Sequence, residues 1–234
     1  MLYIIDTADR DEIRRLNEYY PIDGVTTNPT IISKEHSDFL KLVKDIRDII
    51  GPDKMFHIQV TGDTCDEIVK EARLLRTHVG GNLYVKIPIS RDGLKATQIL
   101  KKEGINVTVT AIFTQQQALI AAKAGADFVA PYVNRLDNIV SDGVSVVSEI
   151  VELFKKHSIS TKVLAASFKT VEQIHKIAMV GAQSVTLQPA LYDQLIYHPL
   201  TLYAIDDFKA DWSNVYGDKS IAMMFEEKDS SVIK

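Results

Sequence analysis

Apolar positions along the chain follow two rhythms. Short runs without clean alternation fall at 2–6, 24–27, 56–60, 83–87, 106–110, 127–130, 162–166 and 183–187. Between them lie longer stretches with apolar residues every three or four positions, at 8–20, 38–50, 64–79, 91–102, 114–124, 142–156, 170–180 and 189–196. The first rhythm predicts strands buried on both faces and the second amphipathic helices. Punctuation supports the division. Thr64 with Glu67 makes a capping box before the third long helix, and Gly104, Gly125 and Gly181 stand just past three helix ends. Eight strand–helix units in regular alternation predict an α/β fold with a parallel sheet. Even spacing, and no G-x-G-x-x-G after the first strand, favour a closed (β/α)8 TIM barrel over an open doubly wound sheet. Beyond the units, 200–216 reads as an additional C-terminal helix with Leu202, Ile205, Phe208 and Trp212 on its apolar face. Residues 1–225 are read as one barrel domain including that helix, and 226–234 as a polar, disordered tail.

Composition narrows the class. The 234 residues suit one barrel. Apolar content of 46% allows a large core, and a net charge of −4 with scattered Lys and Arg argues against a nucleic-acid partner. Cys65 is the only cysteine, so no internal disulfide can form. The first ten residues are too short in apolar character and too acidic for a signal peptide, and no run approaches the roughly 20 apolar residues of a membrane span. A cytoplasmic protein with no membrane contact is expected. No paired Cys/His spacing suggests a metal, and no Gly-rich phosphate loop calls for a nucleotide, so no cofactor is expected.

Barrel chemistry sits at the C-terminal ends of the strands. There the polar residues are Asp6, Thr26, Thr27, Asn28, Gln59, Lys86, Thr108, Thr110, Tyr132, Asn134, Arg135, Ser167 and Lys169. Lys86 stands out, within Leu83-Tyr84-Val85-Lys86-Ile87-Pro88-Ile89. Alternation turns Val85 and Ile87 to one face and Lys86 into the barrel. Burial favours the uncharged amine, which is the form that attacks a carbonyl to make an imine. The plain alternative is a lysine that snorkels or pairs with an acid. Asp6 is a proton carrier, a partner for Lys86, or the cap of the next helix; as a bare Asp before Thr7 it reads best as a cap. Gln59 can orient water or be a satisfied amide. Tyr132 is a general acid or a core aromatic. Arg135, Ser167 and Lys169 can hold a phosphate or simply lie at the surface. The six histidines are isolated and read as surface or packing residues.

The combination of motifs resembles the transaldolase and fructose-6-phosphate aldolase family. It is carried by Asp6-Thr7, Gly24-Val25-Thr26-Thr27-Asn28-Pro29-Thr30, Tyr84-Val85-Lys86-Ile87-Pro88, Ala130-Pro131-Tyr132-Val133-Asn134-Arg135 and Ala165-Ala166-Ser167-Phe168-Lys169-Thr170, in the family's order across nearly the whole chain. The resemblance implies a class I aldolase with Lys86 as its Schiff-base lysine and Asp6 as an acid or base near the imine. Gln59, Thr110 and Tyr132 would hold a catalytic water, the aldolase pattern. The substrate-binding set would be Thr26, Asn28, Thr108, Ala130, Arg135, Ser167 and Lys169, with Arg135 on the phosphate and Ser167 helping. Thr108 stands where transaldolases often carry asparagine, and Val107-Thr108-Val109-Thr110-Ala111-Ile112-Phe113 looks more like the small transaldolases. Cleavage of fructose 6-phosphate to dihydroxyacetone and glyceraldehyde 3-phosphate is the first expectation. Transfer of the dihydroxyacetone unit between sugar phosphates is the second, and a silent sugar-phosphate-binding barrel the third. The resemblance also implies a homo-oligomer, a pentamer or decamer.

Overall fold

The computed structural model describes the backbone of residues 1–232 and the side chains of residues 1–226. Eight parallel strands close into a barrel in chain order. They are β1 (Leu2–Asp6), β2 (Gly24–Thr26), β3 (Met55–Gln59), β4 (Leu83–Pro88), β5 (Asn106–Ile112), β6 (Phe128–Pro131), β7 (Lys162–Ala165) and β8 (Ser184–Leu187). Ile5 pairs with Val25 on one side and Leu187 on the other, so the sheet has no edge left open. The helices are α1 (Arg10–Tyr19), α2 (Pro29–Ser33), α3 (Phe39–Ile50), α4 (Cys65–His78), α5 (Arg91–Lys102), α6 (Gln115–Lys123), α7 (Val133–Asp137), α8 (Gly143–Lys156), α9 (Val171–Met179), α10 (Pro189–Ile196), α11 (Pro199–Tyr216) and α12 (Ile221–Val232).

The strands bury both faces for different reasons. Outward side chains such as Ile5, Val25, Phe56, Val85, Ile87, Val107 and Val129 are fully buried beneath the helices. Each contributes roughly 1.5–3 kcal/mol of transfer free energy. Inside, Ile4, Met55, Phe128 and Leu164 pack together, with Leu2 and Tyr84 against them. One residue pair further along the strands the inner face turns polar: Thr26, His57, Lys86, Thr108 and Thr186 are all buried there. The barrel is therefore oily at its N-terminal end and polar toward the C-terminal ends of its strands.

Local rules fix the helix starts. Thr64, Thr114 and Thr170 each form a complete capping box, with Glu67, Gln117 and Gln173. Asp9, not Asp6, caps α1: its carboxylate accepts from the backbone N–H groups of Asp11 and Glu12. The capping role expected of Asp6 is thus taken three residues later, which leaves Asp6 to the interior. Two five-residue helices, α2 and α7, occupy stretches without helical periodicity in the sequence. β5 runs two residues past its expected end because a register shift between Thr110 and Ile112 lets it continue, with Ala111 at φ 58°.

The chain forms two compact units, Met1–Asp193 and Gln194–Lys234. The sequence grouped 1–225 together. The barrel occupies the first unit, and α11 and α12 belong to the second. No residue of α11 is buried, and Leu202, Ile205 and Phe208 are exposed along it. Trp212 leans on Tyr216 and donates its indole N–H to the Lys219 carbonyl at 2.8 Å. The backbone is helical to Val232, across most of what the sequence read as a disordered tail; residues 233 and 234 lie outside the described residues. No helix among the described residues is long and apolar enough to cross a membrane.

Gly24 tests how tightly the barrel closes. A Cβ there would sit 2.2 Å from the Met55 carbonyl oxygen. Backbone cannot retreat as a side chain can, so Gly24→Ala should cost at least the roughly 1–3 kcal/mol of core overpacking. Urea unfolding would show a lower midpoint. An unchanged midpoint would mean that β2 and β3 can separate freely.

Candidate active site

Lys86 enters the barrel from the middle of β4. It is 4% exposed, and its Nζ donates to the Thr27 carbonyl oxygen at 3.2 Å. Parallel pairing places Gln59 of β3 on one side of it and Thr108 of β5 on the other, all three on the inner face. The sequence reading of an amine directed into the barrel holds, and the snorkelling alternative does not. A single carbonyl partner is a thin hydrogen-bond shell for a buried ammonium.

Asp6 ends β1 half-buried. The Thr26 hydroxyl donates to Asp6 Oδ1 at 2.7 Å, and Thr26 and Thr186 hydroxyls lie 2.6 Å apart. Each hydroxyl has one proton, so with Thr26 committed to the carboxylate, Thr186 donates to Thr26. The relay Thr186, Thr26, Asp6 crosses β8, β2 and β1. It gives the carboxylate one fixed partner, on Oδ1.

Across the barrel, Thr110 Oγ1 and Tyr132 Oη lie 3.3 Å apart. The Tyr132 ring is held edge-on by Phe113 at 5.5 Å, and the Arg135 guanidinium lies 4.8 Å from its centre. The bulge at Ala111 is what lets the strand carry Phe113 to this ring. Ala130, fully buried, is Thr110's register partner. Thr110, Tyr132, Ala130 and Arg135 are therefore neighbours, as their assignment to one site requires. Tyr132 is only half-buried, so it is not a plain core aromatic.

Ser167 follows β7 half-buried, with φ 64°. A non-glycine residue there carries roughly 1–2 kcal/mol of strain. The strained turn is tied down, since Ser167 O accepts from the Asn134 N–H at 2.8 Å. Gln173 fastens the same corner: its amide donates to Asp137 and Asn134, and its oxygen accepts from the Lys169 and Thr170 N–H groups. Arg135 and Ser167 are thus joined through one backbone link. The Lys169 side chain is exposed. Asn28 caps α2, its Oδ1 accepting from the Ile31 N–H at 3.0 Å. That use of the oxygen leaves the two amide N–H donors to face other groups.

His57, Thr186 and Phe113 belong to this constellation and were not singled out from sequence. The signal for His57 was present: it alternates with Met55 and Gln59, so it shares the face of Gln59. His57 is fully buried, stacks on Tyr84 at 4.6 Å and meets Phe128 edge-on. Its Nδ1 lies 2.8 Å from Thr108 Oγ1. Burial first, and the positive charge of Lys86 second, push its pKa from 6.5 down to about 3.

A cavity of about 560 Å³ opens beside Asp6, with Thr7, Ile31, Lys34 and Gln188 among its walls. A larger one, about 810 Å³, lies at the opposite end of the barrel and includes Asp127, Phe128 and Lys162. That end holds the Lys101–Asp127 ion pair at 2.6 Å and the oily floor, and its groups have no line to Lys86. Among the described residues no group of three His, Cys, Asp or Glu side chains is placed to share a metal ion.

A closed parallel barrel with an inward lysine and threaded hydroxyls defines a class of barrel enzyme with an amine at its centre. The family model described as Transaldolase/Fructose-6-phosphate aldolase matches residues 3–231. A Streptococcus pneumoniae protein named "Probable fructose-6-phosphate aldolase" is 38% identical over 222 residues, 94% of this chain and 100% of its own. A Thermoanaerobacter protein named "Probable transaldolase" is 42% identical over 213 residues, covering 91% of this chain and 97% of its own. One of the same name from Streptococcus pyogenes serotype M2 is 41% identical over 216 residues, 92% and 99% of the two chains. The chain belongs to the transaldolase/fructose-6-phosphate aldolase family of enzymes. In fold alone it is also similar to a solved flavocytochrome b2 variant with sulfite bound, with TM-score 0.57 and 11% identity over 80% of this chain and 56% of that one.

His57 gives a pH test. Its folded pKa lies below its unfolded value, so the unfolded chain takes up the proton first. Stability is therefore complete above pH about 6.5 and falls as pH drops toward about 3, by up to about 1.4 kcal/mol per pH unit from this one group. His57→Phe removes that slope. Urea unfolding at several pH values should show the parent losing ground to the variant across this window. A difference that stays constant with pH would refute a neutral buried His57.

Proposed function

We propose that the protein is a class I aldolase that cleaves and forms fructose 6-phosphate through a Schiff base on Lys86. The observation that carries this is the Lys86 amine, buried on the inner face of β4 between Gln59 and Thr108 with one carbonyl partner. The amine attacks the ketone carbon, and the carbinolamine loses water to give an iminium. The hydroxyl on the fourth carbon gives up its proton, the bond between the third and fourth carbons breaks, and its electron pair flows into the iminium as an enamine. Glyceraldehyde 3-phosphate leaves. The enamine is protonated, and water then attacks the iminium to free dihydroxyacetone and the lysine.

The residues divide the work by chemistry. Asp6, fed by Thr26, is the carboxylate that exchanges protons with the sugar hydroxyls. Gln59, Thr110 and Tyr132 hold the water, and of these only Tyr132 is an acid or base. Thr108, Ala130 and Asn28 line the sugar, and Arg135 with Ser167 and Lys169 takes the phosphate by charge-assisted hydrogen bonds. Relatives named transaldolase keep transfer to an aldose acceptor as the second reading. The Thr110–Tyr132 hydroxyl pair favours cleavage, since it gives water a place beside the enamine. The exposed apolar side chains of α11 support a homo-oligomer, pentameric or decameric; a monomer mass in light scattering would refute that part.

Borohydride added with fructose 6-phosphate should trap a three-carbon adduct on Lys86, read by peptide mass. No adduct, or one on another lysine, would sink the reading. Free dihydroxyacetone should appear without any acceptor; appearance of product only when erythrose 4-phosphate is supplied would assign transfer instead. Tyr132→Phe should slow dihydroxyacetone release about a hundredfold, the lower range of general acid–base catalysis. The same variant should still trap on Lys86 at the parent rate. Unchanged release would remove Tyr132 from the water step.

A further inference from the structure

We infer that His57 is a positioning residue for the lysine site: its neutral imidazole, protonated on Nδ1, fixes Thr108 as a hydrogen-bond donor to a hydroxyl oxygen of the substrate held at Lys86. This rests on the reading of Lys86 as the nucleophile.

The geometry carries the argument. His57 on β3 and Thr108 on β5 flank β4 and reach each other across its inner face, Nδ1 to Oγ1 at 2.8 Å. Tyr84, the residue of β4 paired with His57, stacks on the ring at 4.6 Å with planes 13° apart. Phe128 closes the ring edge-on at 5.5 Å. Lys86 is two residues further along β4 and pairs with Thr108. The histidine–threonine bond is thus a strut between the oily floor and the amine. The ring cannot turn without breaking both aromatic contacts.

The protonation pattern follows from what is left unpaired. His57 Nε2 is buried with no partner. A neutral imidazole has one N–H and one lone pair. If the proton sat on Nε2, a buried donor would be orphaned, and Thr108 would spend its only proton on Nδ1. With the proton on Nδ1, the orphan is a lone pair, the commoner exception among buried polar atoms. Thr108 then accepts from His57 and keeps its own proton. Thr108 is the register partner of Lys86, so that proton is carried on the residue next to the lysine across the ladder. Tyr84 stacks on the ring, and the Lys86 charge nearby opposes a second proton on the imidazole.

Two experiments on the whole protein test this. In ¹⁵N-histidine-labelled protein without ligand, the His57 ring, assigned by its loss in His57→Phe, should show a protonated Nδ1 and a bare Nε2 with no titration from about pH 5 to 8. A proton on Nε2, or a titration in that range, overturns the inference. In steady state with fructose 6-phosphate, Thr108→Val and His57→Phe should each raise KM about tenfold with kcat within about threefold, the size of one neutral hydrogen bond. The double variant should match the singles, and His57→Asn, whose amide N–H replaces Nδ1–H, should return KM to within about threefold of the parent. An unchanged KM in Thr108→Val, or multiplied effects in the double variant, overturns it. If His57→Phe does not fold, the Thr108→Val result and His57→Asn still decide. If the parent forms no Lys86 adduct, the aldolase reading fails by itself, while the tautomer measurement still reports on the strut.

Discussion

A primary amine held inside a barrel is the constraint around which this molecule is arranged. Removing a charged lysine from water costs several kcal/mol unless partners replace the lost hydration. Here the nearest partner is one backbone carbonyl, that of Thr27, at the end of β2. The carbonyl points inward because Asn28 stops the strand and caps a five-residue helix with Pro29 in its first turn. The short helix that sequence periodicity overlooked is thus part of what positions the lysine's partner. The same carbonyl fixes where the amine sits, so the lysine's position is set by the backbone turn that ends β2.

The inner face solves a second problem, that of finding partners for polar groups in a core, and leaves only the His57 Nε2 among them without one. It does so in pairs: Asp6 with Thr26, Thr26 with Thr186, His57 with Thr108, Thr110 with Tyr132. Each pair joins different strands, so each also constrains the barrel's register. The apolar layer of Ile4, Met55, Phe128 and Leu164 lies below them and needs no such pairing. Polarity increases toward the strand ends where the turns open. That gradient separates a packed end from a polar end within strands of three to seven residues.

Much of this was legible in the chain. Eight units, their order and most helix ends follow from periodicity, caps and terminal glycines, because those are local and repeated. Lys86 was legible because an ionisable residue broke an apolar strand. Asp6 was misread as a cap because Asp-Thr before a helix is the usual signature of one, and only the observed bonds of Asp9 displace it. His57 was passed over since an isolated histidine says little until strand pairing shows what it faces. Ala111 and Ser167 adopt left-handed backbone conformations that their residue types do not announce. Such positions are set by tertiary demand, the first to turn Phe113 toward Tyr132 and the second to bring the end of β7 beside α7.

Of the five non-glycine residues with left-handed backbone among the described residues, Ala111 and Ser167 are the two that flank Tyr132. A left-handed alanine and a left-handed serine each oppose folding by roughly 1–2 kcal/mol. Neither is needed to close the sheet, which is complete through β8. Both are needed to place Tyr132: one brings Phe113 to its edge, and the other ties the segment carrying Arg135 to β7 through the Asn134 N–H and Ser167 carbonyl. Strain at these two positions is the cost of aiming a phenol that shares a hydroxyl contact with Thr110. Lys86 is held by ordinary strand geometry and Tyr132 by strained turns. In the proposed reaction the first makes the carbon–nitrogen bond and the second governs water. The barrel therefore holds its lysine in a strand and its phenol in a turn, and in the proposed reaction small changes of that turn's backbone separate a cleaving enzyme from a transferring one.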